Sequence, residues 1–87
     1  MDAQHRKVYV AVNLDVDVNG KIRPRTIIWE DGKRFEIDRL LHTCRAASLK
    51  VGGCGIRYTI IVRGKETYLF NEEDKWFVEA KEMEPTI

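Results

Sequence analysis

Val8-Tyr9-Val10-Ala11-Val12-Asn13-Leu14-Asp15-Val16-Asp17-Val18 is the stretch that decides the fold class. A large aliphatic side chain stands on every second position, and the positions between carry Tyr, Ala, Asn and Asp. Period two puts the aliphatic row on one face of a strand, whereas a helix would scatter it around the whole circumference. The β-branched content agrees. The run is long for a strand in a small domain, so it is expected to bend and serve both sides of a barrel or sandwich. Asn19-Gly20 follows it with the two residue types that most readily take positive φ in a tight hairpin.

The alternation continues along the chain. A second strand is expected over about 21–29, with Pro24 facing away from a partner because it has no N–H to donate. Asp31-Gly32 marks a second hairpin. A third strand over about 34–42 sets Phe35, Ile37 and Leu41 on one face. Ala46-Ala47-Ser48-Leu49 has the composition of a single helical turn. Strands are then expected over about 56–63, 66–70 and 75–80, separated by Gly64 and by the polar turn Asn71-Glu72-Glu73-Asp74. Five to six short antiparallel strands with tight turns and no long helix imply an all-β domain. An SH3-like small barrel or meander is the first expectation. An OB-like barrel is the alternative, which needs Greek-key connections and usually a helix.

Eighty-seven residues suffice for one domain with a modest core. Residues 1–87 are therefore taken as a single unit with loose ends at about 1–6 and 81–87. A charged fraction of 33% beside a hydrophobic fraction of 44% fits a folded globular chain. The N-terminus shows no apolar run of the signal-peptide kind, and no stretch approaches a membrane span. Two cysteines, Cys44 and Cys54, do not make a disulfide framework. Free thiols and a cytoplasmic location are the expectation, with no membrane partner.

Charge is unevenly placed. From Lys33 to Lys65 there are eight cations and two anions, and from Glu66 to Ile87 there are two cations and seven anions. Two readings stay open: a basic patch that attracts phosphates, or basic strands neutralised by the acidic C-terminal segment.

Within the basic third, Arg45 to Tyr58 breaks the alternation, with Gly52, Gly53 and Gly55 around Cys54. No helix follows these glycines, and no Lys-Ser or Lys-Thr closes them, so neither a dinucleotide fingerprint nor a Walker loop is present. The glycines can instead turn backbone N–H groups inward as an anion nest, with Arg45, Lys50 and Arg57 supplying charge to a phosphate. Period two places Arg57 and Arg63 on one strand face. The plain alternative is a flexible connection whose glycines serve turn geometry.

Aromatic side chains beside cations can stack on single-stranded nucleic acid, and Tyr9, Trp29, Tyr58 and Tyr68 are the candidates. In so small a domain most aromatics are expected in the core. An exposed Trp29 or Phe77 would equally mark a protein interface. The His42/Cys44 pair lacks the spacing of a structural zinc site, so no metal and no cofactor are expected. Asp15/Asp17 and Glu36/Asp38 read as solvated strand faces. No nucleophile elbow or ordered triad is visible, so no catalytic residues and no enzyme are expected.

Ile27-Ile28-Trp29-Glu30-Asp31-Gly32-Lys33-Arg34-Phe35-Glu36-Ile37-Asp38-Arg39 resembles the core motif of a family of short, uncharacterised bacterial small β-barrel proteins. Ala46-Ala47-Ser48-Leu49-Lys50-Val51-Gly52-Gly53, Gly55-Ile56-Arg57-Tyr58-Thr59 and Trp76-Phe77-Val78-Glu79 resemble it as well. The resemblance runs from about Val8 to Glu79 and implies a stand-alone small barrel with no assigned catalytic residues. A more distant likeness, carried by the Trp29 hairpin, is to small domains that accompany bacterial DNA-repair polymerases. The expectation is a non-enzymatic binding module that takes nucleic acid without sequence preference through Arg45, Lys50, Gly52, Gly53, Gly55, Arg57 and Arg63. The alternative is a protein-interaction or self-association module.

Overall fold

The structure is a computed structural model that describes residues 5–48 and 51–81. Seven strands follow one another: β1 (His5–Val16), β2 (Ile22–Ile28), β3 (Arg34–Glu36), β4 (Arg39–Ala47), β5 (Cys54–Val62), β6 (Lys65–Glu72) and β7 (Lys75–Lys81). All pairings are antiparallel, and the sheet order is β3-β2-β1-β7-β6-β5-β4. The sheet curls into a half-barrel of the all-β kind, without a helix among the described residues.

The length of β1 does what its pattern implied. Its first half, His5–Val10, pairs with β7, and its second half, Ala11–Val16, pairs with β2. The register shifts between Asn13 and Leu14, where Arg25 is the extra residue on β2. Burial follows only part of the aliphatic row. Val8 is buried, Val10 and Val12 pack against the core, and Leu14, Val16 and Val18 are exposed on a hairpin that runs beyond it.

Turn chemistry sets the hairpins. Asp17 and Trp29 begin equivalent three-residue loops, each closed by a backbone bond from a positive-φ glycine, Gly20 to Asp17 O (2.9 Å) and Gly32 to Trp29 O (2.8 Å). Asp17 Oδ1 also accepts from the N–H groups of Asn19 and Lys21. The β5–β6 and β6–β7 turns are two-residue loops, Arg63-Gly64 and Glu73-Asp74, with both central φ values positive. That is the backbone twist a two-residue hairpin prefers.

The third expected strand is two strands. Ile37 and Asp38 form a corner between β3 and β4, which lie at opposite edges of the sheet. Ile37 N–H donates to Arg25 O (2.9 Å) and Asp38 N–H to Ile61 O (2.8 Å), so the corner bonds to both sides of the opening. Beyond it, a register shift between Leu40 and His42 makes Leu41 the extra residue on β4. Leu40 rather than Leu41 then packs against the core, and Leu41 is exposed.

Three further expectations change. Ala46 and Ala47 lie in β4, not in a helical turn, because both pair with β5; Leu49 lies outside the described residues. His5 and Arg6 are not loose, since they pair with Lys81 and Ala80. Lys81 is correspondingly the last strand residue and not the start of the tail.

The main core fills the concave side with Val8, Ile27, Trp29, Phe35, Tyr58, Ile60, Val62, Leu69, Val78 and Ala80. Phe70 and Phe77 point the other way, as successive strand residues must. Their rings stack at 4.9 Å, and Tyr9 meets Phe77 edge-on at 6.1 Å. Lys7 Nζ sits 4.5 Å from the Phe77 centroid.

Gly55 is the glycine this packing cannot exchange, because a Cβ there would collide with the backbone carbonyl of Asn71 on β6. Gly55→Ala is therefore expected to lower stability by about 2–3 kcal/mol, in the range of a strained small-to-large substitution. Urea denaturation of the two proteins measures it, and equal midpoints would refute the close approach.

Candidate functional site

The glycine segment does bind an anion, but the anion belongs to the chain. Gly52 and Gly53 take φ values of 80° and 92° and bring the end of the β4–β5 hairpin round. Ser48 N–H donates to Gly53 O (2.8 Å) and Gly52 N–H to Ser48 O (3.2 Å). Cys54 N–H then donates to Glu72 Oε2 (2.8 Å), and Lys7 Nζ meets Glu72 Oε1 at 3.3 Å. Ser48 Oγ donates to Glu79 Oε2 (2.6 Å), which ties the same turn to β7. The amide that the nest was expected to offer to a phosphate is thus occupied by a side-chain carboxylate from the acidic C-terminal segment.

The expected cations do not converge. Arg45 pairs with Ile56 and Cys44 with Arg57, so Arg45 and Arg57 project from opposite faces of the sheet. Arg57 lies over the Tyr68 ring at 4.5 Å, its Nη2 reaches Cys44 Sγ at 3.7 Å, and its Nε is buried without a partner. Arg63 leaves β5 altogether. It sits at φ 53° in the turn, its guanidinium 4.8 Å from the Phe35 ring, while its N–H donates to Asp38 Oδ2 (3.2 Å). The period-two argument fails for Arg63 because the strand ends one residue earlier, at Val62. Lys50 lies outside the described residues. Trp29 is 5% exposed and Phe77 0%, so neither offers the exposed interface expected of it. Tyr58 is buried too, and burial pushes its hydroxyl pKa up.

A different set of cations comes together. The corner at Ile37–Asp38 is the apex of a groove with β2 and the end of its hairpin on one side and the start of β4 on the other. Its volume is about 490 Å³. Lys21, Arg23, Arg25, Arg39 and His42 line it beside Asp38, the single lining carboxylate among the described residues. Pro24, Ile37, Leu40 and Leu41 give it an apolar floor. Arg25 has one competitor for its charge, Asp15 at 3.5 Å, in a pair more than half exposed and therefore weak. Asp38 accepts from the Arg63 amide at the apex, and Asp15 and Asp17 share a neighbouring cavity of about 280 Å³ with Lys21 and Arg23.

Sequence reading passed over this group because Arg39 is far along the chain from Lys21, Arg23 and Arg25. The signal present was local: three cations at alternate positions around Pro24, Lys21 just before β2 and Arg23 and Arg25 within it. Among the described residues, no group of three or more His, Cys, Asp or Glu side chains is placed to hold a metal ion, and no helix is long and apolar enough to cross a membrane. Cys44 and Cys54 are both free thiols. Comparison with family models, curated proteins and solved structures returned no match to the chain.

The Glu72 carboxyl is held below the ordinary carboxylate range, first by the Cys54 amide and further by Lys7, with burial acting against them. A pKa lowered by folding adds stability above the unfolded value of about 4.3, and that stability disappears as pH falls through the folded value. Glu72→Gln is expected to melt below the wild type at pH 7, with the gap closing as pH drops through the carboxylate range. Thermal melts of both proteins across that range test it, and a gap independent of pH would contradict the assignment.

Proposed function

We propose that the chain is a non-enzymatic module that binds the phosphate backbone of nucleic acid, without sequence preference, in the groove between β2 and β4. The observation that carries this reading is the meeting of Lys21, Arg23, Arg25 and Arg39 around one groove whose only lining carboxylate among the described residues, Asp38, is at its apex. Arg45 adds a further exposed cation along β4. Flexible cations on a rim supply charge to phosphates and carry little base information. The two free cysteines suit a reducing cytoplasm as the place of action.

An acidic polypeptide offers similar charge, but the groove walls are poor templates for an added strand. Pro24 has no N–H, the Arg25 carbonyl is already taken by Ile37, and Leu41 breaks the ladder of β4. Strand addition needs an unbroken row of edge groups.

Fluorescence anisotropy with a labelled oligonucleotide at low salt tests the reading. Affinity is expected to fall steeply with salt, and Arg23→Glu combined with Arg39→Glu is expected to weaken binding at least tenfold. Absence of binding at low salt, or binding indifferent to salt, would overturn it.

A second reading has its own observation. The Ser48–Gly53 bond fixes the hydrogen-bonding phase of the β4–β5 hairpin, so Thr43, Arg45 and Ala47 direct their backbone groups away from β5. They have no strand partner among the described residues. Self-association through this edge predicts a molecular mass that rises with concentration in light scattering and is reduced by Arg45→Pro. A constant monomer mass would exclude it.

A further inference from the structure

We infer that Tyr9 is a stacking platform for an unpaired base, so that the polynucleotide bound by the chain is single-stranded. This rests on the groove reading above and extends it to a second contact. Tyr9 is the exposed exception among the large aromatics, with 52% of its surface accessible, while Trp29, Phe35, Tyr58, Phe70 and Phe77 are buried. Its ring meets Phe77 edge-on, at 69° between planes. Phe77 in turn is fixed by its stack on Phe70.

Two cations lie over the ring, where an incoming base would displace them. Lys7 Nζ and Lys75 Nζ each lie 5.8 Å from the Tyr9 centroid. Lys7 is engaged by Glu72 at 3.3 Å, which leaves Lys75 to meet the phosphate of a base that takes the ring. A cavity of about 430 Å³ opens beside it, lined by Tyr9, Val10, Ala11, Val12, Lys75 and Trp76 together with Asp74. A duplex keeps its bases stacked on one another and has no free face to offer. The platform therefore adds affinity for single strands alone.

Platform and groove lie along one path. Tyr9, Ala11, Asn13 and Asp15 share the convex face of β1, and Arg23 stands directly opposite Asp15. Six residues of strand separate Tyr9 from Asp15, about 20 Å. A span of that length matches the short end of the roughly 4–16 nucleotides occupied by small single-strand binders.

The test compares a labelled 15-mer single strand with a blunt duplex of the same length, at one low salt concentration. Tyr9→Ala is expected to weaken single-strand binding about tenfold and to leave duplex binding unchanged. Tyr9→Leu, which keeps an apolar contact on Phe77 but has no π face, is expected to lose the same factor. Tyr9→Phe is expected to bind as the wild type. Thermal melts of each variant separate loss of stacking from loss of structure. Single-strand affinity unchanged in both Tyr9→Ala and Tyr9→Leu overturns the platform alone, and so does an equal loss for single strand and duplex. A wild-type chain that binds neither probe overturns platform and groove together.

Discussion

Two backbone hydrogen bonds at one corner control the shape of the whole sheet. Ile37 N–H reaches Arg25 O and Asp38 N–H reaches Ile61 O, so the residues joining β3 to β4 are bonded to both sides of the opening. A seven-stranded antiparallel sheet held at its two edges by a two-residue connection has to curl. The curl creates the concave side on which Trp29, Phe35, Tyr58 and Ile60 are buried. It also leaves β2 and β4 facing each other without pairing, and the groove is the gap between them. Core and groove are thus two results of one geometric constraint.

Much of the chain's charge is used inside the molecule. Lys7 and the Cys54 amide share Glu72, Ser48 ties the hairpin end to Glu79, Arg57 lies on Tyr68 and Arg63 on Phe35. These contacts fasten the β4–β5 hairpin and the β5–β6 turn to the rest of the sheet. The acidic C-terminal segment satisfies the glycine-rich hairpin, while Lys21, Arg23, Arg25 and Arg39 line the groove with Asp38 at its apex and with Asp15 and Asp17 beside the β2 end.

What the sequence disclosed was local. The period-two row from Val8, the Asn19-Gly20 and Asp31-Gly32 turns and the all-β class are visible because each depends on neighbouring residues. The corner at Ile37–Asp38 is invisible because alternation runs straight through it with no glycine or proline to mark it. Ala46 and Ala47 favour a helix in isolation, but the ladder to Gly55 and Cys54 overrides that preference. The candidate site was legible only in fragments. Tyr9 stood among the stacking candidates, yet which aromatic stays exposed depends on the curl. The groove joins residues of separate strands, and no spacing along the chain announces that.

The bulge in β2 has a consequence for how the sheet finds its alignment. A row of aliphatic side chains on every second position is nearly the same after a shift of two residues, since every side chain keeps its face. β1 has such a row, and it must divide itself between β7 and β2. The extra residue at Arg25 removes that ambiguity. Only one alignment places Leu14 opposite Pro24 with the irregularity between Asn13 and Leu14. Pro24 fits there because its pair with Leu14 needs no N–H from it, and a two-residue slip would move the bulge along β1. The bulge that makes β2 look like a poor strand is therefore what gives the longest strand of the molecule a single register.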